Sequence, residues 1–319
     1  MIKRSICLLL VLVTLVSALL GCSVSRDRGD FEIICTVFPI YDWVRSCVAG
    51  VEGVSVSLIV DSGTDPHSYT ASTEDIASIA LADMLVYVGG ESDTWVRDAL
   101  KNAAKDPPAE LRLLDMMDES DRHDHVHGEI CEGEDHDHSA YDEHVWLSLK
   151  NAVFLTDKIS KALVSALPEH SELISENSKG YIAKLKELDS SAEAELDKLK
   201  RKALLFADRF PFGYLADDYS IECYAAFPGC SADSEASFET VVTLTNKLVE
   251  LELDCVILLD SSDEKLAKTI IDGSKRENVR ILRLNSMQSI TSEEISSGLS
   301  YIDIMEENVA VLKRALGQA

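Results

Sequence analysis

Apolar and polar positions along this chain fall into short blocks whose period switches repeatedly between two and about 3.6. In the first half, aliphatic and β-branched runs at Phe31–Val37, Val54–Val60, Met84–Val88 and Leu111–Leu114 predict strands. In the second half the corresponding runs are Ala203–Ala207, Ile221–Ala225, Cys255–Leu259 and Arg280–Leu284. Helical patterns separate them, for example Thr73–Leu81, Phe238–Glu250, Glu264–Lys275 and Ile295–Leu316. Ser72, with Asp75 three residues on, fits a capping box at the start of the first of these. In the last, Ile302, Met305, Val309, Leu312 and Leu316 share one face. Strands alternating with helices predict an α/β fold with parallel sheets in each half.

Between the halves, Glu172 to Lys202 contains no proline and one glycine, Gly180. Tyr181, Leu185, Leu188, Ala192, Leu196 and Leu199 recur at steps of three or four, opposite a face of Lys, Glu and Asp. At 1.5 Å per residue such a helix reaches ~42 Å, longer than a small domain is wide. It is therefore read as a spine joining two lobes. A coiled coil is the competing reading, and no second heptad tract supports it. The expected division is an N-terminal lobe over 22–168, a linking helix over 169–202 and a C-terminal lobe over 203–319. Residues 1–21 read as a leader: Lys3 and Arg4 precede the apolar run Ile6–Leu20, which is shorter than the ~20 residues that span a bilayer.

Charge narrows the possible partners. The formal net charge is −26, from 30 Lys and Arg against 56 Asp and Glu. Such a surface repels nucleic acid and anionic headgroups and attracts cations. An exported chain permits disulfides. Cys223 and Cys230 are close enough in sequence to pair across a turn, and buried thiols are the equal alternative.

The candidate chemistry begins in an acidic loop at 121–142, within the first lobe. From His123 to His144 the chain carries six of its eight histidines, interleaved with Asp, Glu and Cys131. Imidazole, carboxylate and thiolate are the ligands that divalent transition metals select; a solvated polar loop is the bland alternative. Parallel sheets bind ligands beyond the carboxyl ends of their strands. The residues just past predicted strand ends include His67, His144, Asp208, Asp260 and Asn285. Each alone is an ordinary turn former or cap, but together they suit a divalent cation.

Three segments make a resemblance specific: Asp65-Pro66-His67, Asp142-Glu143-His144-Val145-Trp146-Leu147 and Asn285-Ser286. They resemble the signature segments of the cluster A-I solute-binding lipoproteins, which serve ABC importers of zinc and manganese. The similarity extends over nearly the whole chain beyond the leader, and Leu19-Leu20-Gly21-Cys22 resembles a lipobox with Cys22 as the lipidated residue. The resemblance implies two (β/α)-type lobes joined by one long helix, with the metal in the cleft between them. It implies His67 and His144 as ligands, Asp208 in the place where zinc-type members carry His and manganese-type members a carboxylate, and Asn285 where Asp is common. Asn285 is left open as a ligand, an outer donor or a bystander. His123, His125, His127, His136 and His138 would form an auxiliary collecting loop near the cleft. His170 reads as an ordinary polar turn residue.

The implied function is extracytoplasmic capture of Zn2+, with Mn2+ as the alternative, and delivery to an ABC permease driven by a separate ATPase subunit. The protein would be a monomer held at the bacterial cell membrane by a lipid anchor. The imidazole-rich loop and the Irving–Williams order favour zinc. An exported zinc hydrolase is the rival class, but the chain contains neither HExxH nor Gly-x-Ser-x-Gly, so no enzyme is expected. No GxxxxGK[ST] loop occurs, consistent with an ATPase on another chain. An adhesin or passive metal buffer would bind the same ion without docking on a permease.

Overall fold

The computed structural model describes residues 31–101, 107–118, 142–228 and 236–317. The N-terminal lobe is built on β1 (Phe31–Cys35), α1 (Phe38–Cys47), β2 (Val54–Leu58), α2 (Thr73–Leu81), β3 (Met84–Tyr87), α3 (Thr94–Lys101), β4 (Ala109–Arg112) and the short α4 (Leu113–Met116). Two long helices follow, α5 (Leu149–Ala166) and α6 (Ser171–Leu196). The C-terminal lobe contains β5 (Ala203–Phe210), α7 (Gly213–Asp218), β6 (Glu222–Pro228), α8 (Phe238–Glu250), β7 (Cys255–Leu259), α9 (Lys265–Ser274), β8 (Arg280–Leu284), α10 (Ser292–Ser296) and α11 (Tyr301–Leu316).

Each lobe holds one four-stranded sheet, ordered β2-β1-β3-β4 and β6-β5-β7-β8, and every pairing is parallel. Both sheets are covered on both faces, which is why their central strands read as unbroken apolar runs. Ile33, Cys35, Met84 and Val86 face the main core, while Ile34 and Leu85 face an outer cluster with Ile79 and Val96. In the second sheet Leu204, Phe206, Ile257 and Leu259 join the main core, and Leu205, Val256 and Leu258 pack outward with Leu244 and Ile270. That main core runs continuously from one lobe to the other. Ile174, Leu185, Ala192 and Leu196 of α6 are wholly buried within it.

The expected strands are all present, with shifted ends. β4 stops at Arg112 because its partner β3 ends at the paired Tyr87, and the chain then turns into α4. The Ile295–Leu316 pattern resolves into two helices. Gly298 (φ +97°) breaks it, and Ser300 starts α11 with a capping box completed by Asp303. The long helix ends at Leu196, short of Lys202, because Leu199 N–H already closes a tight turn onto the Leu196 carbonyl. Ser72 and Asp75 form both halves of their capping box. Cys35, Cys47, Cys223 and Cys255 carry free thiols; Cys230 lies outside the described residues. Among the described residues no helix is long and apolar enough to cross a membrane.

A buried carboxylate ties three helices together. Asp42 of α1 is 1 % exposed. It accepts from Tyr181 Oη of α6 (2.7 Å), the Tyr301 backbone N–H of α11 (3.1 Å) and Arg45 Nε (2.8 Å). Removing it leaves two buried donors and a guanidinium without their acceptor. Asp42→Ala is expected to lower the unfolding free energy by about 3 kcal/mol in a urea titration, and Asp42→Asn by less.

Candidate metal centre

Two loops of the N-terminal lobe and one segment of the C-terminal lobe converge at the seam between the sheets. The first loop follows β2. Asp65 caps a single 3-10 turn, Pro66–Ser68, and Pro66 supplies the fixed φ of its first position. Asp65 Oδ1 accepts from the His67 backbone N–H at 3.0 Å, which fixes where the imidazole departs from the chain. The second loop precedes α5. There Asp142 Oδ1 accepts from both the His144 backbone N–H (3.0 Å) and His144 Nδ1 (2.6 Å), and the side chain of His144 is 1 % exposed.

His67 is oriented in the same way by the neighbouring residue. Glu143 Oε1 lies 3.2 Å from His67 Nδ1. Its other oxygen accepts from the Ser92 backbone N–H (3.1 Å) and hydroxyl (2.5 Å). A glycine is needed opposite it, since a Cβ on Gly90 would lie 2.2 Å from Glu143 Oε2. Each imidazole therefore has its Nδ1 against a carboxylate, which selects the tautomer with a lone pair on Nε2. The two Nε2 atoms face each other at 3.2 Å. Two lone pairs at that distance repel unless a proton or a cation lies between them. For a zinc ion at 2.0–2.1 Å from each nitrogen, a tetrahedral edge would be about 3.3 Å.

The C-terminal lobe contributes Gln288, whose carboxamide nitrogen is 3.2 Å from His144 Nε2. The segment carrying it runs beside the first loop. Ser62 and Thr291 form an antiparallel bridge, Gly63 N–H donates to Ile290 O, and Ser292 N–H donates to Asp61 O. Asp65 Oδ2 also takes a 2.7 Å ion pair from Arg209 of β5. Behind His144, the Trp146 ring lies 5.2 Å away between centroids, and its Nε1 donates to Ser286 O at 3.0 Å.

Of the residues singled out from sequence, His67 and His144 are brought together. Asp208 and Asn285 are engaged elsewhere. β5 runs on through Phe210, so Asp208 lies inside the strand, at an irregularity in its pairing with β6, and not past its end. Its carboxylate accepts from the backbone N–H groups of Arg209 (2.8 Å) and Leu259 (3.0 Å). Asn285 Oδ1 accepts from Met287 N–H at 2.7 Å, and its own backbone is bracketed by Asn308. Asp260 accepts from Ser286 N–H at 3.1 Å. Among the described residues, no group of three or more His, Cys, Asp and Glu is arranged to hold a metal ion. His123, His125, His127, His136, His138 and Cys22 lie outside the described residues. Sequence reasoning passed over Gln288, whose only signal was a polar residue between the apolar Met287 and Ile290. Glu143 stood in the sequence only as part of a signature segment, and its place beside His67 comes from the fold.

The remaining question is which family carries this arrangement. Residues 33–315 match the ZnuA family, described as the periplasmic component A of a zinc-uptake complex. The chain belongs to this family. Within it, the chain is 32% identical over 306 residues to the zinc-binding lipoprotein AdcA of Streptococcus pneumoniae (strain R6), covering 94% of this chain and 59% of that protein. It thus spans little more than half the length of the streptococcal relative. It is 31% identical over 296 residues to the high-affinity zinc uptake system protein ZnuA of Bacillus subtilis (strain 168), covering 91% of this chain and 89% of that one. The Zn(II)-bound ZnuA-like domain of S. pneumoniae AdcA shares the fold, with a TM-score of 0.72 at 28% identity, over 91% of this chain and all of that one. The two-lobed α/β architecture expected from sequence is the architecture of the ZnuA family.

Electrostatics around the centre give a pH dependence. Asp93, buried behind Glu143, accepts from Gly89 N–H at 2.9 Å. Burial, with the Glu143 charge adding to it, pushes its carboxyl up to about 6 from an ordinary 3.8. The folded state then holds this proton at pH values where the unfolded chain has lost it. The associated penalty is absent at low pH, grows as pH rises through that window and is complete above about 6. The metal-free protein is expected to be more stable at pH 5.5 than at pH 7.5 in denaturant titrations, with Asp93→Asn reducing the difference.

Proposed function

We propose that this protein is the extracytoplasmic metal-capturing component of an ABC importer and that its cargo is Zn2+. The observation that carries the reading is the His67–His144 pair, with both Nδ1 atoms held by carboxylates and both Nε2 atoms converging at 3.2 Å. Relatives named for zinc binding and zinc uptake support the choice of metal. Mn2+ is the less favoured alternative, since manganese prefers carboxylate and carbonyl oxygen over imidazole.

His67 and His144 hold the cation, and Asp142 and Glu143 keep the imidazoles in the binding tautomer and increase their basicity. Protons and metal compete for the same Nε2 lone pairs, so affinity falls as the solution becomes acidic. The loaded protein docks on a membrane permease, and a separate ATPase subunit supplies the energy. A lipid on Cys22 keeps it at the outer face of the cell membrane, where diffusion to the permease is short. The protein acts as a monomer and performs no catalysis. The histidines of 121–142 gather zinc at low concentration and pass it to the centre.

Competitive titration of the purified protein against a zinc chelator tests this reading. One tight zinc site is expected, with manganese held more weakly. His67→Ala and His144→Ala should each abolish it, and Asp142→Asn should weaken it on the order of 10- to 100-fold. Tight zinc binding by both alanine variants would remove the assignment. Deleting residues 121–140 should leave the tight site intact and reduce the total zinc bound; unchanged stoichiometry would retire the collecting role.

A further inference from the structure

We infer that Arg209 is a positioning residue for zinc: acting through Asp65, it lets the C-terminal lobe fix the imidazole of His67. The inference rests on the His67–His144 reading and adds a residue of β5 that does not itself hold the ion. Both oxygens of the Asp65 carboxylate are engaged, on opposite sides of the seam. Oδ1 accepts from the His67 backbone N–H at 3.0 Å and so caps the turn that carries the ring. Oδ2 takes the Arg209 guanidinium at 2.7 Å. The two side chains are only 18 % and 21 % exposed, so water screens this pair less than a surface ion pair. Displacing Arg209 therefore disturbs the residue that sets where His67 leaves the chain.

Arg209 is itself aimed from deeper in the C-terminal lobe. The pairing of β5 with β6 slips between Phe206 and Arg209, and such irregularities redirect the side chains beside them. The buried Asp208 holds this bend. Its Oδ1 accepts from Arg209 N–H at 2.8 Å, and its Oδ2 from the N–H of Leu259, at the end of β7, at 3.0 Å. A continuous line of contacts thus runs from Leu259 through Asp208, Arg209 and Asp65 to His67, and it gives Asp208 a use other than ligation. The start of the same loop is also tied to the C-terminal lobe, by Gly63 N–H on Ile290 O and Ser292 N–H on Asp61 O. Those backbone bonds hold residues 61–63, whereas the Arg209 pair reaches Asp65, two residues from the imidazole.

Charge alone argues for the opposite effect. A guanidinium beside a cation site repels Zn2+, and its removal leaves Asp65 as an uncompensated anion that attracts the ion. Loss of Arg209 would then tighten binding. Positioning predicts the reverse sign, because an imidazole released from its turn must be ordered again when zinc binds. The sign of the change separates the two.

The test uses the full chain and Zn2+. Affinity is measured by chelator competition, and release into excess chelator is timed by stopped flow. Wild type is compared with Arg209→Met, Arg209→Lys, Asp65→Asn and the double variant Arg209→Met/Asp65→Asn, with thermal melts checking that each is folded. Methionine keeps the aliphatic stem, and asparagine keeps an acceptor for the His67 N–H. Arg209→Met should lose on the order of tenfold in zinc affinity, chiefly as faster release, the lower end of what a ligand's outer partners contribute. Arg209→Lys should recover part of that loss. The double variant, in which the charge is balanced again, should stay as weak as Arg209→Met. In NMR spectra of the metal-free protein, Arg209→Met should shift the His67 imidazole resonances and leave those of His144 nearly in place. Unchanged or tighter binding by folded Arg209→Met, or wild-type binding by the double variant, would mean that the guanidinium acts only by its charge, and the inference falls. Failure of the underlying site is a different result: tight zinc binding by His67→Ala and His144→Ala.

Discussion

The centre depends on two consecutive carboxylates turned in different directions. Asp142 and Glu143 each face the Nδ1 atom of a different imidazole, and only that division makes the two Nε2 lone pairs converge. An imidazole free to rotate or to exchange tautomers would present a donor as often as an acceptor. Fixing both rings beforehand removes the ordering cost from the binding step. Neighbouring contacts serve the same end. Ser92 holds the second oxygen of Glu143, and Gly90 leaves space for its carboxylate. Tyr214 of the opposite lobe donates to the Asp142 carbonyl at 3.0 Å.

That last contact belongs to a seam that keeps the lobes in register. Trp146 donates to Ser286 O, and Tyr301 donates to Trp146 O at 2.6 Å while its ring packs edge-on against Trp43. The hydrophobic core continues through this seam along α6. Opening the lobes widely would expose buried aromatic surface and strand several buried donors. The arrangement favours adjustments of side chains and loop segments over a large hinge. The Arg209–Asp65 pair and the Ser62–Thr291 bridge also cross between the lobes beside the first loop. The segment 285–292 is held to the first loop by two backbone hydrogen bonds and by the Ser292 hydroxyl, which donates to Asp61.

Sequence carried the architecture because that information is local. Short aliphatic runs such as Cys255–Leu259, alternating with helical patterns, read as strands buried on both faces, and the Ser72–Asp75 box announces α2 without reference to the rest of the fold. His67 and His144 were visible because each stands in a distinctive short segment, with an Asp two residues before it that accepts from its backbone N–H. Asp208 was legible as a residue type but not as an orientation. Its position depends on how far β5 continues and on the pairing irregularity beside it, both of which are set by β6 and β7. Gln288 was hidden for the converse reason. Nothing in its neighbourhood marks it, and only the tertiary register between 285–292 and the loop after β2 brings it to His144.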